Sequence, residues 1–329
     1  MNLTLNSFKK KIFSLETDSF EDYALWLFRY QARNNPVYGR YLHLLKMLPN
    51  EVRSIADIPF LPIDLFKQHC IKTGKRKTEC IFSSSGTTGQ QTSRHEVADI
   101  GLYEKSFENA FRLFYGDIEQ YVVLALLPAY LEREGSSLVY MADKWIAASR
   151  KEQSGFYLYD YDRLAHTLGV LEQQGQKSLL LGVSFALWDF AERYPMSLRH
   201  ALFMETGGMK GKRPEIVREE LHGILCRAFD TEAIHSEYGM TELLSQCYSQ
   251  GNGLFRCPPW VRVIAHDLYD PFAQVAFGQT GCLHVVDLAN AHSCAFVATA
   301  DLGKCYADGT FEVLGRADNS DVRGCNLMF

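Results

Sequence analysis

Three uniformly apolar runs, Tyr121 to Leu127, Leu179 to Val183 and Ala201 to Met204, set the architecture. Each has strand length and no polar alternation, the pattern of a strand buried on both faces. Helical periodicity separates them. Ile100, Tyr103, Phe107, Ala110, Phe111 and Phe114 share one helical face, and further helices are expected over Ser136 to Ser149, Asp162 to Gln174 and Pro214 to Phe229, the last with proline in its first turn. Such alternation predicts an α/β fold whose mostly parallel sheet is covered by helices.

The flanks read differently. Phe20, Tyr23, Ala24, Leu27 and Phe28 predict an amphipathic helix over 19–33 that Asn34-Asn35-Pro36 ends, and a second is expected over Val37 to Leu48. Pro59 and Pro62 force an extended segment before Asp64 to His69. From about Leu254 short strands are expected at Trp260 to Ala265, Cys282 to Val286 and Phe311 to Leu314, broken by Gly278, Gly281, Gly303 and Gly309. The expected organisation is a helical layer over 1–78, an α/β nucleotide-binding core over 79–250 and a small β-rich subdomain over 251–329.

A formal net charge of -5 gives no global attraction to nucleic acid, and the one dense basic run, Lys72 to Lys77, reads as a solvated loop. Nine cysteines without a CxxC pair argue against a disulfide framework or a common zinc ribbon. The spacing of Cys247, Cys257, Cys282, His284 and Cys294 favours packing over a metal site. With no signal-peptide core at Met1 to Phe13 and no apolar run of membrane-span length, a cytoplasmic protein is expected.

Chemistry concentrates in five stretches. Phe82 is followed by Ser83-Ser84-Ser85-Gly86-Thr87-Thr88-Gly89, whose hydroxyls and flexible glycines suit a phosphate-gripping turn. It is not a Walker loop, because Gln90 stands where that motif has lysine. Thr206-Gly207-Gly208 follows a predicted strand, where open α/β sheets place ligand contacts. Ser236 to Glu242 combines the aromatic Tyr238, a glycine, Thr241 and the carboxylate Glu242, suited to Mg²⁺. Asp301 and Arg316 complete the set. Met singly, each reads as core aromatic, surface charge or turn former; their order and spacing together point to a site.

With these motifs the chain resembles the acyl-adenylate-forming superfamily, which includes acyl-CoA ligases, firefly-type luciferases and peptide-synthetase adenylation domains. Within it the chain is similar to the acyl-protein synthetases of the LuxE type, which activate fatty acids for a reductase complex. That likeness extends over Phe28-Arg29-Tyr30-Gln31, Ile58 to Pro62, Leu127-Pro128 with Tyr130 to Arg133, and Arg323-Gly324-Cys325. The resemblance implies ATP-dependent formation of an acyl-adenylate from a fatty acid or related carboxylate, then acyl transfer to a thiol. It implies that Ser85, Gly86, Thr87, Thr88 and Gly89 hold the β and γ phosphates and that Glu242 binds Mg²⁺. Tyr238, Gly207 and Gly208 would border adenine, Asp301 would grip the ribose, Arg316 would approach the nucleotide and Thr241 would position the acyl-phosphate linkage.

Superfamily members continue past the Gly-Arg-x-Asp hinge into a C-terminal lid of roughly a hundred residues, a typical small-domain length. Here Phe329 follows Asp318 by eleven residues, so the expectation is the large domain without its lid. Acyl-protein synthetases instead carry the acyl group on a cysteine near the C-terminus, which makes Cys325 the candidate nucleophile, with Arg323 favouring its thiolate. An acyl-CoA reductase-type or acyl-carrier protein is the implied partner. The alternatives are an acyl- or aryl-CoA or carrier-protein ligase using a lid from elsewhere, or a non-catalytic nucleotide- or acyl-binding subunit.

Overall fold

In the computed structural model, which describes residues 3–15, 17–84, 92–128, 135–207, 213–214 and 216–317, the three apolar runs form the strands Val122–Leu126, Ser178–Val183 and Ala201–Thr206. All three are parallel neighbours, with Leu124 opposite Leu180 and Leu180 opposite Phe203. Every residue of the first two is buried, which accounts for their unbroken apolar texture. Gly155–Phe156 and His235–Tyr238 extend the parallel set at its two sides, and Cys247–Ser249 adds antiparallel to the latter.

These strands belong to one of two units into which the chain divides. It comprises Phe107–Gly239 and Gln246–Phe255; the other comprises Met1–Ser106, Met240–Ser245 and Arg256–Phe329. In the α/β unit the helices Ser137–Ser149 and Tyr161–Gln173 start where Ser136 and Asp160 accept hydrogen bonds from backbone N–H groups of the first turn. Helix Ser184–Arg193 buries Phe185, Leu187 and Phe190, so these residues serve the core. Helix Arg218–Phe229 buries Phe229 against Phe203, the rings stacked at 4.4 Å. Each such side chain stabilises the fold by roughly 1.5–3 kcal/mol.

In the other unit, helix Phe20–Asn34 buries Phe20, Tyr23, Ala24, Leu27 and Phe28 as its periodicity requires. It stops because Asn35 turns out of the helix and caps the next one, Pro36–Leu44, accepting from the N–H groups of Val37 and Tyr38. The buried Gln31 ties this layer to the segment at 290–295, donating to the Asn290 carbonyl and accepting from the Ala295 N–H, each at 2.9 Å. Strands Val261–His266, Thr280–Asp287, Phe296–Cys305 and Phe311–Arg316 pair antiparallel in that order. Leu61–Pro62 pairs parallel with Val297 and Ala298, and Cys80–Ser83 pairs antiparallel with Arg94–Val97.

Three expectations are corrected. The second helix ends at Leu44 rather than Leu48, because the chain reverses at Lys46, held at φ 56°. Pro214 lies outside helix Arg218–Phe229, whose first turn carries Glu219 and Glu220, charges suited to its positive end. Asp301 and Gly303 sit inside the ten-residue strand Phe296–Cys305 rather than in a turn, and Arg316 ends a strand of its own. Gly303 is there because its neighbour comes close: a Cβ on it would lie 2.1 Å from the Glu312 carbonyl oxygen.

Among the described residues, no helix is long and apolar enough to cross a membrane. Nor do three His, Cys, Asp or Glu side chains gather there as metal ligands, and the described cysteines are free thiols.

Candidate active site

The first cluster is built on the segment Thr241–Ser245, which four polar groups hold by its backbone and side chains. His95 donates from Nδ1 to the Thr241 carbonyl at 2.8 Å, since a carbonyl only accepts. Burial keeps that imidazole neutral, its pKa lowered to about 4. Asn290 donates to the Glu242 carbonyl at 2.7 Å, and Asp287 accepts from the Leu244 N–H at 2.8 Å and the Ser245 hydroxyl at 2.6 Å. Trp260 Nε1 closes the network, 3.0 Å from Ser245 Oγ and 3.1 Å from Ser106 Oγ. Burial still pushes Asp287 up to about 6, although four donors reach it, the other two being the Ala289 and Ser245 N–H groups.

The Glu242 side chain is only 5% exposed. Burial raises its pKa; hydrogen bonds from Ser93 and its own backbone N–H and the charge of Arg316 oppose that rise, and the charge of Asp301 reinforces it. Asp301 and Arg316 face each other across neighbouring strands, with Arg316 Nε 3.9 Å from Asp301 Oδ1. Arg316 is largely exposed and Asp301 largely covered. Glu242, Asp301 and Arg316, three residues that sequence reading selected separately, thus share one electrostatic neighbourhood, and Thr241 is next to it in the chain.

The second cluster lies in the α/β unit at the C-terminal ends of adjacent parallel strands, where such sheets expose ligand-facing backbone. Thr206 is opposite Glu237, which brings Gly207 and Tyr238 to the same edge. Gly207 has φ 73°, and its carbonyl is 3.0 Å from Ser184 Oγ. Ser184 Oγ is equally 3.0 Å from Glu205 Oε2, so its one proton is shared between two acceptors, and Glu205 Oε1 takes Arg218 Nε and Ser236 Oγ at 3.0 and 2.9 Å. Burial would raise Glu205, but His222, Arg218 and Ser236 together hold it below the usual carboxylate range. Tyr238 meets Phe255 edge-on at 5.9 Å.

Glu237 behaves oppositely. Burial pushes it up to about 7; the hydrogen bond that Thr206 donates at 2.5 Å opposes the shift, and the charge of Glu205 adds to it. The folded chain therefore binds this proton more tightly than the unfolded chain, so the stability it contributes is full below the ordinary value of 4.5 and is lost as pH rises through about 7. Glu237→Gln keeps the acceptor without a titrating proton. Unfolding temperatures taken from about pH 5 to 8 should fall less steeply in this variant than in wild type.

Ser85, Gly86, Thr87, Thr88 and Gly89, together with Gly208 and Cys325, lie outside the described residues. The flanks of the hydroxyl-rich stretch are the antiparallel strands Cys80–Ser83 and Arg94–Val97, joined further by the Ser84 N–H donating to the Ser93 carbonyl at 3.1 Å. Sequence reading missed Asp287, Asn290, Glu205 and Glu237. The available signal was a carboxylate inside an otherwise apolar strand, as in Phe203-Met204-Glu205 and Val285-Val286-Asp287.

No protein-family model and no curated protein matches the chain. Solved structures do. ATP-bound MatB from Rhodopseudomonas palustris superposes over 74% of this chain and 50% of its own, with TM-score 0.56 and 17% identity. 2-Hydroxyisobutyryl-CoA ligase in complex with 2-HIB-AMP superposes over 97% of this chain and 73% of its own, with TM-score 0.65 and 12% identity. At 12–18% identity the likeness is one of fold. An ATP-bound chimera of RpMatB and BxBclM gives TM-score 0.57 at 18% identity, again over 50% of that chain, so this chain spans about half the length of the MatB structures it matches.

Proposed function

We propose that the chain activates a fatty acid or related carboxylate with ATP and passes the acyl group to a protein thiol, its own Cys325 or that of a reductase partner. A carboxylate oxygen attacks the α-phosphorus, the bond to pyrophosphate breaks, and acyl-adenylate forms. The thiolate then attacks the acyl carbon and AMP leaves with the electron pair of the cleaved C–O bond. No side-chain nucleophile is needed for the first step; alignment and charge neutralisation are.

The observation that carries this reading is the convergence of Glu242, Asp301 and Arg316. Glu242 fits a single-carboxylate Mg²⁺ site: its burial is only partly offset by the protein's own donors, so a hard cation would complete the compensation. Mg²⁺ bound there would supply neutralisation of phosphate charge. Asp301 receives the ribose hydroxyls, Arg316 approaches the phosphates, Tyr238, Gly207 and Gly208 border adenine, and Ser85 to Gly89 hold the β and γ phosphates. Thr241, its carbonyl fixed by His95, aligns the acyl-phosphate linkage.

Intact-protein mass after incubation with ATP, Mg²⁺ and a panel of fatty and aromatic acids tests this, with Cys325→Ser alongside. An acyl-sized increment on wild type and none on the variant is expected. Pyrophosphate release without an increment would move the acceptor to coenzyme A or a carrier protein, the reading that likeness to a CoA ligase favours. No pyrophosphate with any acid would refute the adenylation reading.

A further inference from the structure

Helix Phe20–Asn34 carries two stripes. The first buries Phe20, Tyr23, Ala24, Leu27, Phe28 and Gln31 in its own unit, and Leu25 at the border of the second is buried too. The second, Asp22, Leu25, Trp26, Arg29, Tyr30 and Arg33, lines an open groove of about 560 Å³ that no part of the ligase reading uses. Trp26 and Tyr30 stack at 5.4 Å with planes 7° apart, and buried Phe8 continues the ladder at 5.0 Å from Trp26. The groove therefore has a rigid aromatic wall.

Its cations are under-used. Arg29 donates to the Val52 carbonyl at 2.9 Å and Arg33 to Asn50 Oδ1 at 3.3 Å, both neutral acceptors. Among the described residues neither guanidinium meets a carboxylate, although each carries five N–H donors. At the C-terminal end of the helix the Gly74 N–H donates to the Asn34 carbonyl at 2.9 Å, which fixes the basic run beside this groove. Within that run Arg76 is engaged by Glu79 and Asp99, whereas Lys75 and Lys77 are exposed. Arg29, Arg33, Lys75 and Lys77 stand against Asp22 and the exposed Glu51, between the two residues that the arginines contact, so cations outnumber anions here on a chain of net charge -5.

We propose that this groove docks an acidic amphipathic helix of a partner protein. Arg29 and Arg33 are about 6 Å apart along the helix axis, within reach of one compact anion, but the groove runs on to Asp22, about 16 Å from Arg33, and a compact anion cannot meet both ends. A helix laid alongside can. Arg29 and Arg33 are four residues apart and match two carboxylates at the same helical spacing, apolar side chains of the partner pack on the half-buried Trp26 and Tyr30, and a partner cation meets Asp22. The opposite charges at the two ends set the direction of the bound helix.

The probe is a fluorescein-labelled fifteen-residue helical peptide with two glutamates four residues apart, leucines at the intervening helical spacing, and a lysine seven residues from the nearer glutamate. Fluorescence anisotropy with the full chain should show saturable binding. Arg29→Glu with Arg33→Glu should weaken it at least about tenfold, and a peptide with both glutamates exchanged for lysine should recover it. Circular dichroism monitors the fold; if the double variant does not fold, Lys75→Glu with Lys77→Glu, both in the exposed run, should weaken binding about threefold. Absence of saturation, undiminished binding by a folded variant, or failure of the exchanged peptide to recover it overturns the proposal. So does displacement of the peptide by inorganic tripolyphosphate alone at equal concentration, which would mark a small-anion site.

Discussion

Glu242→Gln is expected to lower carboxylate-dependent ATP–pyrophosphate exchange by about two to three orders of magnitude, while the protein unfolds no earlier than wild type. Both halves follow from how the residue is held. The polar groups around it grip backbone atoms and neighbours: His95 takes the Thr241 carbonyl, Asn290 the Glu242 carbonyl and Asp287 the Leu244 N–H. These three contacts leave the carboxylate alone and survive the substitution, and the glutamine carbonyl oxygen still accepts from Ser93 and the residue's own N–H, which do reach the carboxylate. Burial disfavours the charged form of Glu242, so a neutral amide of the same shape costs the fold little or stabilises it. Exchange at the wild-type rate would place the cation elsewhere, and a large fall in unfolding temperature would make Glu242 a structural group.

Gly303→Ala should destabilise the fold by about 3 kcal/mol or more, the range of strong steric conflict in a packed interior. The new Cβ would stand 2.1 Å from the Glu312 carbonyl oxygen and 2.8 and 2.9 Å from the two Leu283 methyl carbons. A backbone oxygen in a paired strand has nowhere to go. The register shift between Leu302 and Gly303 is the point at which strand Phe296–Cys305 accommodates Phe311–Arg316, and the same ladder pairs Asp301 with Arg316. Gly309→Ala is the comparison: its φ of 81° penalises a side chain, but nothing lies within 4 Å, so about 1 kcal/mol is expected. Denaturant midpoints for the two variants measure the difference, and equal losses would mean that close approach is not what Gly303 serves.

What the sequence shows of the fold depends on how many faces of an element are buried. Val122–Leu126 and Ser178–Val183 are covered on both faces and read directly as strands. Phe296–Cys305 is the longest strand among the described residues and was hidden, because Ala300 to Leu302 are only part-covered and Asp301 and Gly303 carry the composition of a turn. At the site, motif spacing picked out Glu242, Asp301 and Arg316, but only the strand ladder and the segment after Met240 bring them together. Asp287 and Glu205 were passed over because a carboxylate is ordinarily a surface group. Here backbone N–H groups, serines and an arginine take up both oxygens, and no local pattern records partners so distant in sequence.

The six residues Met240–Ser245 belong to one unit, although the chain on both sides of them belongs to the other. A piece cut out as Phe107–Phe255 would carry Glu242 away from His95, Asp287 and Asn290, and the remaining pieces would keep those three groups with no segment to hold. A genetic crossover between residues 107 and 255 would likewise unite the carboxylate of one parent with the cradle of another. Recombination should therefore be tolerated least where it separates residues 241–245 from residues 287–290.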